Sequence, residues 1–198
     1  MTGAQFVNIG ASEATPLQAL TPIGEGTSDN VTIQTLDAYG NMVDMYSWND
    51  WACETPCWVN DSYEKVEGVT FESGQGLWVS GSASSQSIQS AGAVGTSDVS
   101  VSLRSGYTAA VNPFPVAIDL QDILPTGDGT SDNVTIQTLD AYGNMVDMYS
   151  WNDWACETPC WVDDSYEKVE GVTFEPGQGL WVSGSNGGQA IQFPAPEL

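Results

Sequence analysis

Residues 30–48 carry the clearest alternation of apolar and polar side chains in the chain. In NVTIQTLD, the β-branched residues Val31, Ile33 and Thr35 alternate with polar neighbours, which is the two-residue period of a half-buried strand. The Gly and Asn of AYGN mark a turn, and MVDMYSW then returns as a second strand. The pattern predicts a β-hairpin.

Shorter apolar runs, separated by Gly and Pro, extend this β pattern. GVTF and LWVSG are joined by ESGQG or EPGQG, and this Gly-containing loop predicts a second hairpin. SIQ and AIQF each predict a short strand, whereas PLQAL and IDLQDIL have room for about one or two helical turns. Roughly six or seven short strands per 100 residues predict an all-β fold, either a β-sandwich or a small barrel.

The chain contains an internal duplication. Residues 26–82 and 129–185 align without a gap and differ only where Asn60 becomes Asp163 and Ser73 becomes Pro176. Weaker similarity continues on both sides, and the small polar residues of SASSQS and SAGAVGTSD mark a junction. A period this long indicates tandem domains, so we predict two near-identical β domains at 1–95 and 98–198.

Two motifs of the second repeat resemble modules of large secreted and cell-surface bacterial proteins. The motifs are GYTAAVNPFPVAIDLQDI at 106–123 and VTFEPGQGLWVSG at 172–184. The modules carry GWNLxxNPFP followed by PGQGFWV, and in the first repeat NIGASE replaces NPFP while Ser73 replaces the Pro. The resemblance implies an extracellular all-β accessory module without an assigned activity. It does not include the Trp- and Cys-rich segment.

The charge balance excludes several classes of partner. The chain has 26 acidic residues against three basic ones, a formal net charge of −23. Binding to nucleic acid or anionic membranes needs clusters of Lys and Arg, so neither partner is expected. The acids either solvate the surface or attract cations and basic partners. The absence of His removes the usual general base and the commonest zinc ligand.

The sequence has no expected membrane or leader segment. No apolar run reaches the roughly 18 residues of a membrane-spanning helix. MTGAQFVNIG has neither the basic n-region nor the apolar h-region of a signal peptide. Such a start is expected for a mature secreted protein or a fragment of one.

Each repeat contains one close pair of cysteines, Cys53 with Cys57 and Cys156 with Cys160. Two thiols without His are too few for a zinc site, and the spacing is not the C-x-x-C of redox enzymes. We predict a disulfide within each repeat that closes a small ring and contributes about 2 kcal/mol at most. Disulfides place the protein outside the reducing cytosol, so we expect it outside the cell or at the cell surface.

The cysteines lie within WNDWACETPCWV, which occurs letter for letter at 48–59 and 151–162. In one reading, the tryptophans form a small core beneath a long loop. In the other, they form a rigid platform of flat rings bordered by acids and amides, suited to carbohydrate recognition. Buried rings favour the first reading, and an exposed coplanar pair, Trp48/Trp51 or Trp51/Trp58, favours the second. The candidate binding residues are Trp48, Asp50, Trp51, Glu54 and Trp58, bordered by Asn60 and Asp61, and the copies Trp151, Asp153, Trp154, Glu157 and Trp161.

A second acidic motif, GEGTSDN or GDGTSDN, places oxygen-bearing side chains at alternate positions. This spacing resembles the start of a calcium loop, but Leu36 and Leu139 occupy the position of the final bidentate acid. A calcium site and a turn stabilised by an Asx side chain are both open, and no other cofactor is expected. The candidate ligands are Glu25, Thr27, Asp29, Asp128, Thr130 and Asp132.

Three function classes follow from these features. The leading hypothesis is a non-catalytic structural or adhesive module of a bacterial secreted or cell-surface protein. The second is a carbohydrate-binding module in which two Trp loops raise the avidity. The third is a glycoside hydrolase using a carboxylate pair such as Asp50 and Glu54, but no catalytic residue is predicted because the unit is small and duplicated. The expected partners are other copies of the chain, other cell-surface proteins or a glycan.

The repeats differ at their starts. In DVSVSLRS, before Gly106, the residues Val99, Val101 and Leu103 alternate with polar residues and predict a half-buried strand. Only Met and Thr stand before the aligned Gly3 in the printed sequence. If the strand completes the second repeat, the first has an open edge, and if it completes the first, the second has one. One repeat is thus short of a strand, and its open edge is expected to be covered by a strand from a neighbouring chain, by a preceding domain or by the other repeat. Strand addition from another chain is the assembly hypothesis.

Overall fold

The computed structural model describes residues 3–7, 14–82, 86–89, 95–140, 144–185 and 187–196, with the backbone alone for 3–7. These residues form antiparallel strands and two short 3₁₀ turns, and no α-helix occurs among them. The all-β prediction is therefore confirmed. NIGASE at 8–13, the junction residues 83–85 and 90–94 and the turn residues 141–143 lie outside the described residues.

The first half contains nine strands among its described residues, with a 3₁₀ turn at Leu17–Ala19. In chain order they are β1 Gly3–Val7, β2 Thr15–Pro16, β3 Thr21–Ile23, β4 Thr32–Leu36, β5 Met42–Asn49, β6 Cys57–Val59, β7 Thr70–Phe71, β8 Leu77–Gly81 and β9 Ser87–Gln89.

The second half contains ten strands among its described residues, with a 3₁₀ turn at Leu120–Asp122. They are β10 Val99–Ser102, β11 Gly106–Val111, β12 Ile118–Asp119, β13 Leu124–Thr126, β14 Thr135–Leu139, β15 Met145–Asn152, β16 Cys160–Val162, β17 Thr173–Phe174, β18 Gly179–Gly184 and β19 Ala190–Phe193.

The two halves repeat one topology. Each has a five-stranded sheet, ordered β1-β8-β4-β5-β6 in the first half and β11-β18-β14-β15-β16 in the second. The smaller sheets are β2-β7 and β3-β9 in the first half, and β12-β17 and β10-β19-β13 in the second. The large and small sheets of each half enclose one hydrophobic core, the two-layer arrangement of a β-sandwich.

One predicted hairpin is confirmed and the other is wrong. Strands β4 and β5 pair with Ile33 opposite Tyr46, as the alternation predicted. The predicted pairing of GVTF with LWVSG does not form, because β7 pairs with β2 while β8 pairs with β1 and β4. Phe71 and Leu77 enter the same core from two different sheets, so the Gly-containing loop between them is a crossover between layers.

The strand at the start of the second repeat belongs to that repeat. β10 pairs with β19, placing Val101 opposite Ile191. Val101 and Leu103 are 9% and 4% exposed and lie in the core of the second half. In the first half, β9 pairs only with β3 among the described residues. Within the described ranges, the first half therefore has no counterpart of β10.

Backbone hydrogen bonds join the two halves along the outer edge of β11. The amide of Gly76 donates to the carbonyl of Ala109 at 3.0 Å, and the amide of Val111 donates to Gly74 at 3.1 Å. Gly106 has a left-handed φ of +97°, and a Cβ at this position would lie 2.7 Å from the carbonyl oxygen of Ala38. Glycine at 106 thus permits the close approach of the two backbones.

We predict that Gly106→Ala destabilises the protein more than the matched variant Gly129→Ala. Both positions have positive φ, where an alanine costs about 1–2 kcal/mol, but a Cβ at 129 meets no atom within 4 Å. Only the Gly106 variant adds a backbone clash across the junction. Calorimetric melting of both variants measures the difference, and equal losses of stability would contradict this account of the junction.

Candidate aromatic binding site

The repeated Trp-rich segment divides into buried and exposed tryptophans. Trp48 on β5 lies directly opposite Trp58 on β6, so both side chains enter the core, with exposures of 9% and 0%. Their rings meet edge to face with centroids 5.4 Å apart. Trp51, in the loop between these strands, is 61% exposed. The core reading therefore holds for Trp48 and Trp58, and it does not hold for Trp51.

The polar atoms of Trp58 are satisfied within the protein. Its indole Nε1 donates to the carbonyl of Leu20 at 2.8 Å. The side-chain amide of Gln18 donates to the carbonyls of Trp58 and Val66 and accepts from the amide of Trp58. Trp58 is thus a structural residue that ties β6 to the 3₁₀ turn. The second half repeats these contacts through Gln121, Ile123, Trp161 and Val169.

Both predicted disulfides are confirmed. Cys53 bonds to Cys57, and Cys156 bonds to Cys160, each with a Cα–Cα distance of 6.3 Å. Cys57 is buried at the start of β6, while Cys53 belongs to the loop that carries Trp51. The loop has no regular strand pairing of its own. Each bridge therefore anchors this loop to the edge strand of the large sheet.

Three contacts fix the exposed Trp51, and a fourth joins two of its partners. Its indole Nε1 donates to Asp29 Oδ2 at 3.1 Å, and its ring lies 5.1 Å from the ring of Tyr63, tilted by 36°. Its backbone amide donates to Oδ1 of Asn49, a fully buried residue whose Nδ2 donates to the other carboxylate oxygen of Asp29. The ring is held at its edge while much of its surface faces solvent.

Backbone strain supports this arrangement. Among the described residues of the first half, Asp29 and Tyr63 are the two non-glycine residues with positive φ, at 59° and 58°. Such a conformation costs about 1–2 kcal/mol, and residues held in it cluster at functional sites. Both strained residues contact the same exposed ring, that of Trp51.

The second half carries the same arrangement. Trp154 and Tyr166 are 61% and 53% exposed, with rings 5.1 Å apart, and Trp154 Nε1 donates to Asp132 at 3.1 Å. Asp132 and Tyr166 also have positive φ. We call Trp51 with Tyr63 the first pad and Trp154 with Tyr166 the second pad.

The substitution of Asn60 by Asp163 leaves the turn before the pad tyrosine unchanged. In both repeats the side-chain oxygen at this position accepts hydrogen bonds from the backbone amides two and four residues later. A carboxylate and an amide oxygen serve this purpose equally. The two pads are therefore built on equivalent turns.

Acidic residues lie close to both pad residues in the chain. Asp50, beside Trp51 in the chain, accepts a hydrogen bond from the hydroxyl of Ser28 at 2.8 Å, and Glu54 is exposed. Beyond Tyr63, the ammonium of Lys65 lies 2.9 Å from Glu67 and lowers the pKa of that carboxyl through a hydrogen bond and its charge. The second half has the matching contact between Ser131 and Asp153, and Glu157 is likewise exposed.

The structure pairs the exposed rings differently from the expectation. Neither Trp48/Trp51 nor Trp51/Trp58 forms an exposed coplanar pair, because strand pairing turns Trp48 and Trp58 inward. The partner of Trp51 is Tyr63, which the sequence reasoning missed. Its one local signal is an aromatic residue within the polar turn NDSYE, where no apolar neighbours suggest a core position.

The proposed calcium loops form compact turns. The side-chain amide of Asn30 donates to the carbonyls of Gly26 and Ser28, and Asp29 already accepts hydrogen bonds from Asn49 and Trp51. Asn133 and Asp132 make the same contacts in the second half. The described residues contain no group of three or more His, Cys, Asp or Glu placed to hold a metal ion. The calcium site stays a prediction.

The remaining tryptophans lie where the two halves meet. Trp78 and Trp181 line a cavity of about 440 Å³ between the outer faces of the large sheets. Tyr107 stacks on Trp181 with centroids 5.6 Å apart and an interplanar angle of 16°. These two tryptophans therefore belong to the junction and not to the pads.

We predict a large difference in stability between Trp58→Ala and Trp51→Ala. Removing the fully buried Trp58 is expected to cost about 3–5 kcal/mol, since it leaves a cavity and an unpaired carbonyl at Leu20. Removing Trp51 is expected to cost less than about 1.5 kcal/mol, because most of the ring already faces water. Denaturant unfolding measures both values, and similar losses would contradict the division into core and pad.

We also predict that the unfolded, unreduced protein has no free thiol. All four cysteines are paired, and each pair is close in sequence. A thiol titration in denaturant gives the count before and after reduction. A thiol detected before reduction would mean that a bridge is missing in the isolated protein.

No family model, curated protein or solved structure matches the chain. No helix in the described part of the chain has the length and apolarity that a membrane crossing requires. A function for the chain must therefore be inferred from the geometry of the pads and their surroundings.

Proposed function

We propose that the chain is a non-catalytic adhesive module of a secreted or cell-surface protein, and that its two pads are glycan-binding surfaces. The observation that carries this proposal is the exposure of Trp51, whose ring the protein fixes and does not bury. A large apolar ring left in water at the expense of two strained residues favours a role in contact with a ligand.

The chemistry of the pad suits a sugar. A pyranose ring has an apolar face, which packs on an aromatic ring, and hydroxyls around its edge, which need polar partners. Trp51 and Tyr63 supply the rings, while Asp50 and Glu54, which lie within three residues of Trp51 in the chain, carry exposed carboxylates that can accept hydrogen bonds. The Tyr63 hydroxyl adds a group that both donates and accepts.

The pad is ordered before any ligand arrives. The disulfide anchors its loop, Asp29 fixes the indole edge, and Asn49 fixes the backbone. Binding to a site that is already ordered avoids the entropy loss of immobilising side chains, so even a small contact area can yield measurable affinity.

The duplication supports adhesion in particular. Two equivalent pads on one chain can engage two sugars of the same surface, which raises the avidity by about 10²–10⁴ where the geometry permits. The paired cysteines support an oxidising location outside the cytosol. The resemblance to accessory modules of bacterial surface proteins implies the same location.

We predict that the double variant Trp51→Ala/Trp154→Ala loses glycan binding while keeping its fold. A glycan array identifies ligands, and quenching of intrinsic Trp fluorescence follows the titration. Tyr39→Ala is the matched control, because Tyr39 is 83% exposed and lies in the β4–β5 turn, outside the pads. Binding is expected to be unchanged in this control.

The single variant Trp154→Ala tests bivalency. On a dense glycan surface it is expected to bind at least 10-fold more weakly than the unmodified chain, and to bind a soluble monovalent sugar with half the stoichiometry. Failure of every array sugar to bind the unmodified chain would refute glycan recognition. Unchanged glycan binding by the double variant would show that the pads are not the binding surfaces.

A further inference from the structure

The edge of β9 in the first half is the counterpart of an edge that is filled in the second half. β19 lies between β13 and β10, whereas β9 pairs with β3 alone among the described residues. The strands β9 and β19 are aligned in the duplication, so the part of the chain that the structure describes shows the same strand with β10 beside it in the second half and without such a neighbour in the first.

The packing around the two edges differs accordingly. Ile191 of β19 is fully buried, while the aligned Ile88 of β9 is only partly buried. Val101 and Leu103 cover Ile191 and its neighbours in the second half. The first half therefore presents an apolar edge position that its twin buries.

Three kinds of contact hold β10 on its edge. The backbone ladder runs from Val99 opposite Phe193 to Ser102 opposite Ala190. Asp98 accepts hydrogen bonds from the side-chain amide of Gln192 at 2.6 Å and from a backbone amide at 2.8 Å. The amide of Leu103 donates to the carbonyl of Gln189 at 2.8 Å.

The first half retains several of the groups that receive these contacts. Gln89 is aligned with Gln192 and is exposed on β9. Gln86 is aligned with Gln189, and both are buried and donate to the same turn before β4 or β14. Gly184 leaves room for Leu103, because a Cβ at this position would lie 3.0 Å from that side chain. The aligned residue of the first half is also a glycine, Gly81. It pairs with Gly3 in the same way as Gly184 pairs with Gly106.

We propose that the outer edge of β9 accepts an extended segment of a second polypeptide with the chemistry of residues 98–103. That chemistry is an aspartate followed by three apolar side chains at alternate positions. In the register of the second half, the middle apolar residue pairs with Ile88. The aspartate accepts a hydrogen bond from the side-chain amide of Gln89, as Asp98 does from Gln192.

A β10 segment released by another copy of this chain is not the occupant. Its release would expose Ile191 and Phe193 of the donor, which are fully buried, so one open edge would be exchanged for another. The copy would also give up the two hydrogen bonds of its own Asp98. A donor segment that is not already paired has neither loss, and it removes the exposed edge outright.

A labelled peptide of residues 96–105, TSDVSVSLRS, tests the proposal by fluorescence anisotropy against the full chain. We expect saturable binding with one peptide per chain and new hydrogen-exchange protection of the backbone amide of Ile88, whose counterpart at Ile191 faces β10 in the second half. The control peptide carries Val101→Asp, which places a carboxylate opposite Ile88. It is expected to bind at least 10-fold more weakly.

A variant of the full chain locates the binding edge. Residues 96–105 fused directly before Gly3 place the same strand on β9 within one molecule, and this fusion is expected to melt at a higher temperature and to bind no peptide. If the fusion binds the peptide as well as the unmodified chain does, the peptide binds at β19 and not at β9, and the proposal is overturned. Equal binding of the two peptides, or no binding of either, would also overturn the proposal. The same holds for dimers that form without peptide, in a concentration-dependent way, by pairing of β9 with β9.

Discussion

The hydrogen bond from the Trp58 indole to the carbonyl of Leu20 links the large sheet of the first half to the chain that leads into the small sheets. Trp58 comes from the edge strand of the large sheet, and Leu20 follows the 3₁₀ turn that leads to the small sheets. Because the ring is fully buried, its N–H must find a partner inside the protein, and this carbonyl supplies it. Gln18 reinforces the contact by bonding to both backbone groups of Trp58. The second half repeats the arrangement.

The pad depends on this buried contact. Trp48 and Trp58 face the core from adjacent strands, so the residues between them must leave the sheet as a loop. The disulfide, Asn49 and Asp29 then order that loop from three sides. Trp51 consequently projects outward in a fixed position, with Tyr63 against it. One segment thereby supplies both the structural tryptophans and the exposed ring.

The two halves show how nearly identical sequences differ through their neighbours. The hydrogen bonds around Trp51 and Trp154 agree to within about 0.1 Å because every contact is local to one repeat. The edges at β9 and β19 differ, since β10 covers only one of them. Local interactions are therefore duplicated with the sequence, whereas edge pairing depends on segments outside the duplicated region.

Local patterns in the sequence were enough to predict the all-β class, the hairpin of β4 with β5, the disulfides and the strand before Gly106. Each depends on a period or spacing within a few residues of chain. Only the tertiary structure decided that β7 and β8 belong to different sheets and that Trp58 is core while Trp51 is exposed. It also placed Tyr63 beside Trp51 and β10 beside β19. These outcomes depend on which distant segments share a layer, and the two-residue period of a strand contains no information about its partner.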